Sequence, residues 1–306
     1  MSQHIITVLG ASNVDISATS LMPLIAGDSN PGAIRLGYGG VGHNIAENLL
    51  HLSQDVHLIT AFGDDPFASL LQAYAAQINL DISMSIQKMS VASSVYICIN
   101  QPDGEMSVAV SDMEICHWIT PEHLRLHWDA ILKSALVIMD ANLPEATINY
   151  LAKYCKAPLF AETVSTKKAV RLRASLPMLQ GIKTNRSEAE LLVNFPIRTA
   201  KDAEKAADAL QCLGVPIVMI TMGTDGALVK DTKDLCWLPP MTNILVNTTG
   251  CGDAFFAGAA YAWLEGLDCL SMLRNGLGMA ALCAADQNSV AAAITPHSLA
   301  LFLHNR

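Results

Sequence analysis

Charge is scarce in this chain of 306 residues. Asp, Glu, Lys and Arg together make 15%, whereas hydrophobic residues make 51%. That balance excludes an intrinsically disordered protein, which needs many charges and few apolar side chains. Basic residues are the scarcer sign, 19 Lys and Arg against 28 Asp and Glu, for a formal net charge of −9. No Lys/Arg-rich block occurs, which argues against a nucleic-acid backbone as the main partner. Any phosphate must be held locally, by backbone amides and helix N-termini. The eight cysteines, scattered from Cys98 to Cys283, include no C-x-x-C pair. A zinc site is therefore not expected, nor a disulfide framework, and the thiols read as reduced residues packed in a core. Long apolar runs are missing as well. The uncharged stretch Ala254–Leu264 is about half the ~20 residues a membrane-spanning helix needs, so no span is expected although the mean hydropathy is +0.33. Met1–Thr7 lacks a basic start followed by a long apolar run, so no signal peptide and a cytoplasmic location are expected.

What is present is an alternation of short apolar runs and helix-like segments. Ile5–Gly10, Val56–Ala61, Leu136–Met139, Pro158–Ala161, Gly181–Thr184 and Pro216–Met222 read as buried strands. Gly42–Leu52, Pro66–Gln77, a segment from about Glu145, Thr199–Leu213, 253–265 and 268–285 read as helices, the second opened by a proline in its first turn. This rhythm implies an α/β fold with a mostly parallel sheet covered by helices on both faces. Residues 16–38 show little periodicity, and residues 93–110 read as a hairpin turning at Gln101-Pro102-Asp103-Gly104. With no linker or repeat, the expectation is one domain over 1–306, with a lid formed by about 16–38 and 93–110.

Two glycine clusters stand out. Gly37-Tyr38-Gly39-Gly40-Val41-Gly42 fits G-x-G-x-x-G before a helix, and Asp64 follows Gly42 by 22 residues, close to a dinucleotide-binding fingerprint. Against that, the strand before it (33–36) is short, carries Arg35 and is not the first strand-to-helix turn. Two other readings stay open. The glycines can serve a tight turn and close helix packing. Alternatively, with Asn44 one helical turn after Gly40, they can offer N–H groups and an amide to a small polyhydroxylated ligand. The late cluster is Asn247-Thr248-Thr249-Gly250-Cys251-Gly252-Asp253, followed by the apolar run. A helix apolar on all sides is buried. Its N-terminus, from Gly250 to Asp253, then presents free N–H groups beside almost no side chain, which makes an anion hole. Asp253 at its mouth can take a proton from an attacking hydroxyl, or can merely charge the first helical turn. No Gly-Lys-Ser/Thr follows, so this is not a Walker A loop.

Together, GG-x-x-x-N early and T-x-G-x-G-D late resemble the two signatures of the ribokinase-like (PfkB) carbohydrate kinase family, across essentially the whole chain. The resemblance implies a three-layer α/β/α domain with a mostly parallel central sheet and a small β lid. It implies ATP and Mg²⁺ as cofactors and phosphoryl transfer to a sugar hydroxyl. Asp253 would be the base and Gly250, Cys251 and Gly252 the anion hole. Asn13, Asp15, Gly39, Gly40 and Asn44 would hold sugar hydroxyls. Lys183-Thr184-Asn185-Arg186-Ser187-Glu188 looks like the family's N-x-x-E motif, with Asn185 at the nucleotide phosphates and Glu188 acting on the metal through water. Asn185 and Glu188 also read as an N-cap and its capping-box partner. Thr221, Gly223 and Gly226 resemble the strand and turn that contact nucleotide phosphates, or are hairpin glycines; Asn275 is carried over as a nucleotide contact. Asp140 and Glu162 are acids near the expected metal, or ordinary strand-end acids.

Within the family, Asp28-Ser29-Asn30-Pro31-Gly32, Ser111-Asp112-Met113 and Val164-Ser165-Thr166-Lys167-Lys168 look like the pseudouridine-kinase branch. That adds Lys168, as the residue approaching the base, and Asn142, where sugar kinases often carry Glu. A nucleoside and ATP are the implied partners, with a homodimer through the lid as in relatives. Asn247 stands where many members have an Asp associated with a monovalent-cation site, so the charge for such an ion is missing. Cys251 replaces a usual Ala.

Overall fold

The structure, a computed structural model, describes residues 4–242 and 244–306, so the first residues of the Met1–Thr7 segment lie outside it. Fourteen strands are described: β1 (Ile5–Leu9), β2 (Asn13–Ser20), β3 (Gly32–Gly39), β4 (Asp55–Ile59), β5 (Ala61–Phe62), β6 (Ile86–Gln87), β7 (Val95–Asn100), β8 (Met106–Asp112), β9 (Leu136–Asp140), β10 (Leu159–Glu162), β11 (Gly181–Asn185), β12 (Ile217–Thr221), β13 (Ala227–Lys230) and β14 (Leu235–Leu238). The α-helices are α1 (Val41–His51), α2 (Pro66–Gln77), α3 (Pro121–Leu126), α4 (Trp128–Leu132), α5 (Glu145–Tyr154), α6 (Thr166–Ala169), α7 (Arg186–Val193), α8 (Ala200–Cys212), α9 (Cys251–Leu264), α10 (Cys269–Ala284) and α11 (Pro296–His304).

Eight strands form the central sheet in the order β14-β13-β12-β11-β10-β9-β1-β4. The six from β12 to β4 are parallel, and β13 and β14 add an antiparallel edge. Alternate residues of each parallel strand feed two separate cores, as a sheet covered on both faces requires. Val137, Met139, Ile182 and Val218 pack with α5, α7 and α8. Leu136, Ile138, Ile217 and Met219 pack with α1, α9 and α10. This is the three-layer α/β/α arrangement. From Asp253 to Ala262, α9 is buried on all sides, as the uncharged run that starts at Ala254 requires.

Residues 16–38 differ from expectation. Residues 16–20 and 32–38 are not irregular: they lie in the eight-residue antiparallel strands β2 and β3, which with β7 and β8 make a second sheet in the order β3-β2-β7-β8, and only 21–31 between them are outside a strand. The alternation was hidden because this sheet inverts the usual rule. One face carries Asp15, Ser17, Arg35, Tyr96 and Cys98. The other carries Ile34, Leu36, Ile97, Ile99, Val108 and Val110, all exposed. The sheet therefore runs from 13 to 39, wider than the 16–38 read from sequence, and from 95 to 112, two residues later than the 93–110 read there. The thiols also differ from expectation. Cys116, Cys269 and Cys283 are buried, Cys212 is exposed and the other four are half-buried, all of them free. No helix among the described residues is long and apolar enough to cross a membrane.

Candidate active site

In an open parallel sheet, ligands bind beyond the carboxyl ends of the strands, where the strand order reverses. Here the reversal is at β1, which lies between β4 and β9. The carboxyl ends of β9, β10, β11 and β12 deliver Asp140, Glu162, Asn185 and Thr221 to that same edge. The N-termini of α1 and α9 meet there too, and the two helices pack on each other.

Asp253 lies in the first turn of α9 and is buried, 8% exposed. Its Oδ2 accepts a hydrogen bond of 2.8 Å from Asn44 Nδ2, a residue 209 positions earlier. The two signature clusters of the sequence thus touch. The Oδ1 of Asn44 is buried without a partner, and a buried acceptor left unpaired is costly. It is therefore poised for a donor such as a substrate hydroxyl. Burial raises the Asp253 carboxyl to about 6, Lys183 and the Asn44 amide pull it down, and Asp140 and Asp15 push it up. Such a carboxylate is mostly ionised at pH 7 and more basic than an exposed one, as a general base should be. Gly250 precedes the helix with φ +81°, and a Cβ there would stand 2.0 Å from the Ser289 carbonyl oxygen. Only glycine fits. The Cys251 N–H is already spent on the Thr248 carbonyl at 3.3 Å. The anion hole at this helix end is therefore smaller than the sequence suggests, with Gly252 and Asp253 supplying the first-turn amides that have no intrahelical acceptor.

Asp140 is the hub that sets the other side. Its Oδ2 accepts from Ala11 N and Gly42 N at 2.9 Å each, and its Oδ1 accepts from Asn142 N at 2.8 Å. With these amides occupying it, the carboxylate is a structural anchor for the start of α1 and not a free metal ligand. Gly40, at φ +100°, caps α1, and a Cβ there would meet the Ala11 carbonyl oxygen at 2.4 Å. Gly39 and Gly37 lie in β3, antiparallel to β2 and outside the central sheet. A dinucleotide fingerprint needs its glycines directly after a central parallel strand, so that reading of the G-x-G-x-x-G match falls. Asn13 donates from Nδ2 to Asp15 Oδ1 at 2.6 Å. Asp15 faces the site from the second sheet, its pKa raised by burial against the pull of Asn13 and His43.

The profile of the pfkB family of carbohydrate kinases matches residues 3–295. The chain belongs to that family. It is similar to the pseudouridine kinase of Escherichia coli, at 31% identity over 90% of this chain and 89% of that protein. It is also similar to the guanosine-inosine kinase of Exiguobacterium acetylicum, at 26% identity over 90% of this chain and 93% of that protein. Among solved structures, the ribokinase of Thermotoga maritima superposes with a TM-score of 0.86 at 21% identity, covering 99% of this chain and all of that one. The ribokinase-like fold expected from sequence is thereby established, and the chain is a sugar or nucleoside kinase.

Lys168 reaches inward from α6 and donates from Nζ to Asn142 Oδ1, whereas Lys167 is exposed. Burial lowers the Lys168 pKa, against the pull of Asp140. Asn185 caps α7 and forms the full capping box with Glu188, whose Oε2 also accepts from Thr163. The capping reading is thus correct. It does not exclude a role at phosphates, because the cap sits at a strand end of the same edge. Gly223 and Gly226 flank a tight turn joining antiparallel β12 and β13, so they are hairpin glycines that also put Thr221 at the sheet edge. Asn275 bonds back to its own helix, donating to the Ser271 carbonyl at 2.8 Å. Asn247 fixes the loop before α9 (247–250, the crown loop): its Nδ2 donates to the Gln287 carbonyl and its Oδ1 accepts from Thr249 N. An ionised Asp could not make the first of these bonds.

One pair escaped the sequence reading. Lys183 Nζ lies 3.0 Å from Glu162 Oε1, both side chains buried. Burial and the Glu188 and Asp253 carboxylates push Glu162 up, against the pull of Lys183. The available signal was a charged residue at or near the end of each of two adjacent apolar strands.

Proposed function

We propose that this chain transfers the γ-phosphoryl group of ATP to the 5′-hydroxyl of pseudouridine, giving pseudouridine 5′-phosphate and ADP. The observation that carries the chemistry is the Asn44–Asp253 contact at the open end of α9. The substrate rests on the pseudouridine kinase relative at 31% identity and on the inward Lys168–Asn142 pair. Asp253 accepts the hydroxyl proton as the oxygen attacks phosphorus. The amides of Gly252 and Asp253 face the charge of the transferring group. Asp15, Asn13 and the Oδ1 of Asn44 orient the ribose, so that one primary hydroxyl points at the base. Lys168 and Asn142 meet the nucleobase. Thr221, Gly223, Gly226 and Asn275 contact the nucleotide.

Mg²⁺, when bound with the phosphates, supplies charge neutralisation there; it is usually held by phosphates and waters with one or two carboxylates. Glu162 Oε2, buried without a hydrogen-bond partner, fits as an acceptor for such waters, whereas both Glu188 oxygens already accept, from Asn185 and Thr163.

The second sheet acts as the lid. Arg35 on β3 already donates to Gln287 Oε1 beside the crown loop, at 2.6 Å. Its apolar outer face, centred on Ile34, Leu36, Ile99 and Val108, suits a second copy of the chain. Ile99→Lys is expected to shift the sedimenting species from dimer to monomer; an unchanged species would reject the pairing.

The substrate is tested by ADP release on pseudouridine, uridine, guanosine, inosine and ribose, with and without Mg²⁺. Pseudouridine is expected to give the highest kcat/KM. Preference for guanosine or inosine would move the chain to the second nucleoside class, and binding of nucleosides without ADP release would make it a non-catalytic binder.

A further inference from the structure

We infer that Lys183 is a positioning residue of the phosphoryl-transfer site: its buried ammonium, clamped by Glu162 against Gly252, holds Asp253 as a carboxylate and fixes the open end of α9. The inference deepens the kinase reading above and rests on it.

The geometry is specific. Lys183 lies on β11, between the buried Ile182 and Thr184, and is itself 5% exposed. Its Nζ is 3.0 Å from Glu162 Oε1 on the neighbouring strand. A Cβ added at Gly252 would stand 2.8 Å from the same Nζ. The second glycine of the late motif is therefore bare on the side where the lysine head arrives. Lysine is almost never fully buried unless paired. A purely structural ion pair at this place would be a poor device, because well-packed apolar residues usually do as well or better. The location is also wrong for simple stabilisation. A helix N-terminus is already electropositive, and a cation beside it is repelled. Two positive features converge on one point, and that arrangement suits an anion arriving there.

The surrounding charges make the same point. Glu162 from β10, Glu188 from α7 and Asp253 from α9 all act on Lys183, and together they outweigh burial and hold it protonated. On Asp253, the pull of Lys183 and the Asn44 amide opposes burial, Asp140 and Asp15. Removing the cation leaves a buried carboxylate among other carboxylates, and its affinity for a proton must rise.

The test reads Asp253 directly in the ligand-free protein, by ¹³C NMR titration of aspartate carboxyls, with the signal identified by its loss in Asp253→Asn. The midpoint is expected at about 6 in the natural chain. In Lys183→Met it should rise by roughly one pH unit or more. The acid limb of the kcat profile should move with it, kcat at pH 7 should fall about twofold for a one-unit rise and about tenfold for a two-unit rise, and the nucleoside KM should change less than about threefold. Lys183→Met strands Glu162, so Glu162→Gln with Lys183→Met is measured beside it and read in its place should the single variant not fold. A smaller upward movement is expected, because Asp253 loses its cation together with a carboxylate that repels it. A folded variant whose midpoint and acid limb stay in place overturns the role of Lys183. Undiminished turnover in Asp253→Asn would instead overturn the base assignment, so the two failures are distinguishable.

Discussion

Asp253→Asn is expected to lower turnover with the preferred nucleoside by roughly 10²–10⁴-fold, the range for loss of a positioned general base. The fold should survive, because an Asn side-chain oxygen can still accept from Asn44 Nδ2, a bond of 2.8 Å in the natural chain. Stability should even increase. The Asp253 carboxyl rises from 3.8 in its ordinary state to about 6 in the folded chain. A group whose pKa is higher folded than unfolded binds its proton more tightly in the native state. The folded state therefore loses stability as pH climbs from about 4 through 6, and at neutral pH that cost, up to roughly 3 kcal/mol, is fully present. The amide removes it. Thermal unfolding at pH 7 should therefore occur a few degrees higher in the variant, and the gain should vanish below about pH 4. A variant that is both inactive and less stable at pH 7 would mean that Asp253 is chiefly structural. The same ionisation sets the acid limb of activity, with turnover falling as pH drops through about 6.

Asp140→Ala is expected to be among the most destabilising single changes in the chain. The carboxylate accepts three buried backbone N–H groups, from Ala11, Gly42 and Asn142. Each donor left unpaired costs about 1–3 kcal/mol, so the total for the three is roughly 3–9 kcal/mol. The consequence reaches function through α1. Gly42 lies in the first turn of that helix, and Asn44 follows it by two residues. Without the anchor, the amide that meets Asp253 loses its position. Urea unfolding should show a large drop in midpoint with little change in slope, and turnover should fall even under conditions where the variant is folded. A loss below about 1 kcal/mol would show that these amides find water instead.

The fold was legible where local chemistry and burial agree. Pro66 marks the start of α2, and the uncharged run after Asp253 marks a buried helix. The parallel strands announced themselves because both of their faces are covered. The second sheet did not. Its strands β2 and β3 set glycines, serines and an arginine beside exposed isoleucine and leucine, so no one-sided pattern reports a core. The site was legible as two motifs but not as a contact. Nothing local says that Asn44 reaches Asp253, since a fold-level pairing of α1 with α9 creates that bond. The Asn185–Glu188 pair shows the opposite case, in which one short motif meets a helix-capping need and lies at the site edge as well. Lys183 was passed over because it was read as the lead-in to that motif. Its meaning comes from β10 and α9, which are distant in sequence.

The meeting of α1 and α9 is tested most directly by a crystal structure with pseudouridine and a non-hydrolysable ATP analogue bound together. The expected result places the nucleoside 5′-oxygen within hydrogen-bond reach of the Asp253 carboxylate, a ribose hydroxyl on Asn44 Oδ1, and the terminal phosphate at the amides of Gly252 and Asp253. A nucleoside bound away from Asn44 and Asp253, or phosphates lying clear of the α9 N-terminus, would contradict it.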